Sequence, residues 1–237
     1  MDPILAGGIA LGCYLIGSLS FSRMAVRRFA PEKDINHIQL EILGTGQHMT
    51  YQSIGGSAAG MLLGPRMGAL VGMMDMLKVI LPVLALRILF PTQPYTMVAT
   101  AAATIGHIWP VFYGFRGGGG YSTIFGGLLV ITPLGAIFCS LAGMILGLFV
   151  FRSFALLYAL QMLLVIPWMA YEFGTPISIV FAVLVNLLFF SSWIPSIKAS
   201  RAAGKPSRPP TLREVMQQYP MGKALIRVSD RINFNID

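Results

Sequence analysis

The strongest constraint on this chain is its succession of long, nearly charge-free segments. Residues 3–26, 67–90, 96–115, 154–171 and 176–194 are predominantly apolar. A helix that crosses a bilayer needs about 20 such residues. Inside hydrocarbon every backbone N–H and C=O must find a partner within the protein, which commits runs of this kind to helix. The further apolar block 120–151 is too long for one untilted crossing. Thr132-Pro133 interrupts it, because proline removes a donor and disfavours helix at the residue before it. The block therefore reads as two helices, 120–131 and 133–151, the first unusually short. Composition agrees: 55% of residues are hydrophobic and 11% charged, against about 25% charged in a soluble domain. The expectation is an all-α, polytopic membrane protein with seven transmembrane helices.

Charge placement supports that count. Lysine and arginine number 17 against 9 acidic residues, for a net charge of +8. With seven spans and the N-terminus outside, Arg27, Arg28, Lys33, Arg66, Arg116, Arg152 and Lys198 all fall at cytoplasmic ends. The outer connections Pro91–Tyr95, Thr132-Pro133 and Glu172–Thr175 carry no basic residue, as the positive-inside rule requires. A basic surplus so arranged fits an anionic leaflet rather than nucleic acid. Cys13 and Cys139 lie within apolar runs and read as buried free thiols. The first apolar run starts at Pro3 without a basic lead, so no cleavable signal peptide is expected.

Two domains are expected: a membrane body over 1–198 and a basic cytoplasmic tail over 199–237. Within the body, 27–65 is the longest loop, polar first and then rich in small residues (Ser53 to Gly60), which fits a re-entrant or surface helix. In the tail, Pro206, Pro209 and Pro210 form a stiff linker, and Thr211 with Glu214 matches a capping box. Ala224 to Ile232 mixes apolar and basic residues, so it lies on the membrane surface or docks a partner protein. The partners expected are membrane lipids and other membrane subunits, the latter through Thr211 to Asp237.

One stretch carries candidate chemistry. Gly106-His107-Ile108-Trp109-Pro110-Val111-Phe112 runs into Arg116-Gly117-Gly118-Gly119-Gly120-Tyr121-Ser122-Thr123. A glycine run can curl so that several N–H groups point at one anion, and a following helix start reinforces this. Arg116, Gly117, Gly118, Gly119 and Gly120 are thus candidates for holding a phosphate or lipid headgroup. The same run also suits a tight turn, and Arg116 also suits an interfacial lipid contact. His107 is either a catalytic group or a hydrogen-bonded structural one. Asp75 and Lys78, one helical turn apart within a span, read as a structural intramembrane pair, since isolated charges there are costly. His37 and His48 have no carboxylate or cysteine at metal-ligand spacing, so neither metal nor cofactor is expected.

Several of these pieces resemble the PlsY family of bacterial acyl-phosphate:glycerol-3-phosphate acyltransferases. Gly17-Ser18-Leu19-Ser20-Phe21-Ser22 resembles the end of that family's first helix, which adds Ser18 to the candidate phosphate ligands. Leu63 to Gly68, continuing to Asp75-Met76-Leu77-Lys78-Val79, resembles a second motif, and the histidine–glycine stretch a third. The three stand in order over roughly 1–198. The resemblance implies the family's fold, a bacterial cytoplasmic membrane, and transfer of an acyl group from acyl-phosphate to glycerol 3-phosphate without a metal. It also exposes departures. The family's glycine-rich lysine falls on Gly119, and both asparagines of the motif aligned with Thr50 to Ala58 are lost, leaving the Ser57 hydroxyl. Its arginine shortly after becomes Met61, a serine becomes Ala155, and its C-terminal histidine, glutamate and asparagine are replaced between Ser192 and Lys198.

Two functions follow. Losing one electrostatic stabiliser typically costs about 10²–10³ in rate, so the departures point to a protein without acyltransferase catalysis that serves as a lipid-binding or structural subunit of a membrane complex. The other is a working glycerol-3-phosphate acyltransferase in phospholipid biosynthesis with a rearranged site. Weak catalytic candidates for it are His107, Arg116 and Ser57, with Arg152 or His48 compensating.

Overall fold

The structure, a computed structural model, describes residues 1–202 and 210–231. Their regular structure is helical apart from one small hairpin. α1 (Pro3–Gly17) starts where the Asp2 carboxylate accepts the Ile4 N–H at 2.9 Å, with Pro3 in the first turn. The apolar run 3–26 is not one helix, however. α1 ends at Gly17, and α2 (Phe21–Phe29) restarts with Ser20 as its cap. The break sits beside the close crossing of α1 with α5 (Tyr95–Ile108). A Cβ on Gly17 would lie 2.1 Å from Ala103 O, and one on Gly106 would lie 2.1 Å from Tyr14 O. Interrupting the helix also leaves the Leu19 carbonyl without an intrahelical donor, and Lys78 Nζ supplies one at 2.7 Å. That satisfies irregular backbone at membrane depth.

The loop 27–65 contains a feature that sequence reasoning missed. Strands β1 (Gln39–Ile42) and β2 (Gln47–Thr50) pair antiparallel, with Leu40 opposite Met49. Gly44 and Gly46, at φ 76° and 69°, make the turn between them. α3 (Gly56–Leu63) is the short small-residue helix, and Gly64 at φ 92° separates it from α4 (Pro65–Leu89). Beyond α5 come α6 (Tyr121–Ile131) and α7 (Pro133–Ile145), divided at Thr132-Pro133 as the sequence predicts. A π-helical turn, Leu146–Val150, extends α7. α8 (Phe154–Glu172), α9 (Pro176–Ser191) and α10 (Ile194–Ala202) complete the body.

Five segments are long and apolar enough to cross a membrane: Pro3–Phe29, Pro65–Leu89, Pro133–Val150, Phe154–Glu172 and Pro176–Ala202. The protein is thus a multi-pass membrane protein. The predicted span 96–115 is shorter than expected, because Trp109 precedes Pro110 and the helix stops at Ile108. At about 1.5 Å per residue, α5 and α6 fall well short of a hydrocarbon core about 30 Å thick. Length and composition thus identify five crossings, and α5 and α6 are the two expected spans that fall below that length. α5 is the central helix, packed against α1, α4, α6 and α9 and buried on nearly every side.

The tail is folded onto the body. α11 (Leu212–Gln217) opens with the expected capping box between Thr211 and Glu214, and α12 (Pro220–Arg231) follows. Leu212, Met216 and Ile226 form a buried cluster with Phe154 and Leu157 of α8. The amphipathic helix starts at Pro220 rather than Ala224, and its buried side faces its own chain. Pro206, Pro209 and everything after Arg231, including Ile232 to Asp237, lie outside the described residues.

Candidate functional site

The site forms where three broken or short helices end together. Lys78 on α4 is buried, ion-paired with Asp75 and hydrogen-bonded to two other groups. Its Nζ lies 2.9 Å from Asp75 Oδ1, donates to Leu19 O at 2.7 Å, and donates to His107 Nδ1 at 3.0 Å. Asp75 Oδ1 is itself 3.7 Å from His107 Nδ1. With Nδ1 accepting from an ammonium, the imidazole carries its proton on Nε2. That nitrogen faces Gly118 and Gly55: a Cβ on Gly118 would sit 2.1 Å from it, and one on Gly55 would sit 3.9 Å away. The histidine is therefore held as an N–H donor, and the glycine beside it cannot be replaced without moving the ring.

The glycine run is less open than its sequence suggests. The Gly118 N–H is spent on His107 O at 2.9 Å, and the Gly117 carbonyl accepts the Ile54 N–H at 2.8 Å. Gly120, at φ 80°, turns the chain into α6. The donors offered to an anion include those of the α6 start, since the first N–H groups of a helix lack intrahelical acceptors. A second helix start lies close by, that of α3 at Gly55, Gly56 and Ser57.

Both starts line one cavity of about 1030 Å³. Gly55, Ser57, Asp75, His107, Gly119 and Ser122 contribute to its polar wall, while Phe154, Tyr158, Phe189, Trp193 and Ile197 contribute apolar surface. A smaller cavity of about 330 Å³ adjoins it, lined by Asn36, His37, Gln52, Arg116, Gly117 and Gly118 among others. Tyr51, Ser53 and Ser192 line both cavities. Gly119 stands at that junction: a Cβ there would point between Ser53 Oγ at 3.2 Å and Ser192 Oγ at 3.8 Å. Ser192 also donates to Gly119 O at 3.2 Å. Burial pushes the Tyr51 phenol up to about 12, with Tyr219 adding to this and the Ser57 and Ser53 hydroxyls opposing it, so it stays a neutral donor.

The predicted residues thus divide. His107, Ser57, Gly119 and Gly120 share the large cavity, and Arg116, Gly117 and Gly118 line the small one. Arg116 is exposed. Ser18 lies elsewhere: it is fully buried, donates to Tyr14 O at 2.9 Å at the end of α1 and lines neither cavity. Arg152 and His48 also line neither. Sequence reasoning missed Tyr51, Ser53 and Ser192, although both serines fall within aligned motifs where only the losses stood out.

Residues 8–202 match the glycerol-3-phosphate acyltransferase family. The chain belongs to that family. It is 30% identical over 192 residues to the glycerol-3-phosphate acyltransferase of Halalkalibacterium halodurans, covering 78% of this chain and 85% of that protein. To the enzyme of the same description from Glaesserella parasuis it is 33% identical over 192 residues, covering 77% and 85%. Among solved structures it resembles the crystal structure of PlsY, an integral membrane glycerol 3-phosphate acyltransferase, in its glycerol 3-phosphate form. The TM-score is 0.67 at 25% identity, covering 87% of this chain and 96% of that one. The family match takes in the hairpin, the glycine run and both cavity-lining helix starts, and stops before α11 and α12.

Proposed function

We propose that this family member binds a phosphate-bearing, single-chain amphiphile in the large cavity and has lost the acyl-transfer step, acting as a lipid-binding subunit of a membrane assembly. One observation carries the loss: the position of the missing lysine, Gly119, opens onto the junction of the two cavities among neutral hydroxyls. Transfer from acyl-phosphate needs positive charge exactly where the phosphate leaves. Lys78 does not stand at that junction: it is ion-paired with Asp75 and donates to Leu19 O and His107 Nδ1. Binding needs less. Two helix starts and the His107 Nε2–H favour an anionic headgroup, and the apolar wall suits an acyl chain. The basic residues Arg27, Arg28, Lys33, Arg66 and Arg116 favour a cytoplasmic position for the hairpin face.

The test is purified full-length protein in nanodiscs with acyl-phosphate and glycerol 3-phosphate. Lysophosphatidate formation is expected to be absent, while acyl-phosphate and lysophosphatidate raise the melting temperature. Stoichiometric partner proteins are expected on purification in mild detergent.

A second reading is supported by the two adjoining cavities, one large and apolar-walled and one small and polar, which suit an acyl donor and a small polar acceptor. On that reading Arg116, in the small cavity, holds the acceptor's phosphate. Turnover abolished by Arg116→Ala would favour it over the first.

A further inference from the structure

The helix pair α11–α12 lies outside the family match, yet Val215, Gln218, Tyr219, Met221 and Ala224 line the large cavity. The pair is fastened to four separate parts of the body. Tyr219 stacks on Phe154 of α8 at 5.5 Å between ring centroids and meets Tyr51 edge-on at 6.2 Å. Gln218 Nε2 donates to Glu41 O of the hairpin at 2.7 Å. Pro220 packs on α3, where a Cβ on Gly60 would come within 2.8 Å of its ring. The Tyr158 hydroxyl donates to Met221 Sδ at 2.9 Å. Within the pair, Arg213 grips Asp230 with two bonds of 3.1 Å, and Gly222 lets α12 start against the Met216 carbonyl. Burial raises the Tyr219 phenol above its ordinary value, so it remains neutral beside the cavity.

We infer that α11–α12 is a resident wall of the ligand cavity, which sets the length of acyl chain the cavity accepts and slows the ligand's exit. The wall's cavity-facing residues are mostly apolar, so it meets the acyl chain rather than the phosphate. The role rests on the proposal that this cavity holds an acylated phosphate amphiphile. It assigns the tail to the chain's own ligand rather than to partner docking alone.

Two full-length variants test it. Tyr219→Ala removes the stacking contact, and Gly222→Val forces α12 away from α11. Native mass spectrometry would follow release of lysophosphatidates with acyl chains of increasing length. Release about 10-fold faster is expected in both variants, the scale of one lost aromatic contact with its burial, together with acceptance of longer chains than the parent protein retains. Unchanged release and chain-length preference, with limited proteolysis confirming that the pair has detached, would overturn the inference. A ligand-free arm separates it from the binding proposal. Cys13 and Cys139 are buried, so a single Ser196→Cys substitution in the cavity wall reports its accessibility to a soluble maleimide. If no amphiphile binds the parent protein, the binding proposal fails. Faster labelling in both tail variants would still support the wall, and equal labelling would refute it.

Discussion

At the residue scale, the most consequential group is Lys78. Its side chain joins α4 to the carbonyl released by the α1–α2 break and to the ring of His107, so one ammonium links three helices. Removing it leaves Asp75 buried and unpaired, which costs about 3–5 kcal/mol. Lys78→Met is expected to lower the thermal unfolding temperature in detergent markedly, and adding Asp75→Asn should recover part of the loss. The turn before the hairpin offers a milder case. The Asp34 carboxyl is held at about 2 by the His37 side chain and by the backbone and side chain of Asn36, with His37 Nδ1 at 2.5 Å. Its value is lowered on folding, so its stabilising contribution is complete above the ordinary carboxylate range and disappears as pH falls through about 2. Asp34→Asn should therefore lower stability modestly at neutral pH, and the difference from the parent should vanish as pH falls below about 4, the unperturbed range for aspartate, towards 2.

At the element scale, apolar runs and proline placement made most helices legible. Thr132-Pro133 divides α6 from α7, and Thr211 caps α11, because both signals act within a few residues. What the sequence concealed depends on contacts between distant segments. The break after Gly17 answers to Ala103 and Lys78, and its one local signal is the Ser20 cap of α2, which the apolar run 3–26 masks. Gly106→Val tests the close crossing directly: a side chain there meets the Tyr14 carbonyl, and overpacking of this kind costs about 1–3 kcal/mol or more. The expected result is poor yield of folded protein, seen as early elution and aggregation in size-exclusion chromatography. Thr211→Ala removes one half of a capping box, and the loss of about 1 kcal/mol should speed proteolysis within α11 while leaving the body intact.

At the scale of the whole molecule, the chain keeps the fold of the glycerol-3-phosphate acyltransferase family. Two of the glycines that shape the cavities have no room for a Cβ: Gly117 lies against His107 O and Gly118 against the imidazole. The sequence disclosed that framework and the absent lysine. It did not disclose that the absence opens onto the junction of two cavities, since Ser53, Ser192 and Gly119 meet only in the folded chain. Nor did it disclose that the added tail closes over the same cavity. Charge at one position therefore separates the two functions, and a direct assay decides between them. Purified protein and its Gly119→Lys variant would be given acyl-phosphate and glycerol 3-phosphate, with lysophosphatidate measured over time. The account predicts no product from the unaltered protein and measurable product from Gly119→Lys, a gain of about 10²-fold or more over background on the scale of one electrostatic stabiliser. Steady turnover by the unaltered protein would contradict it.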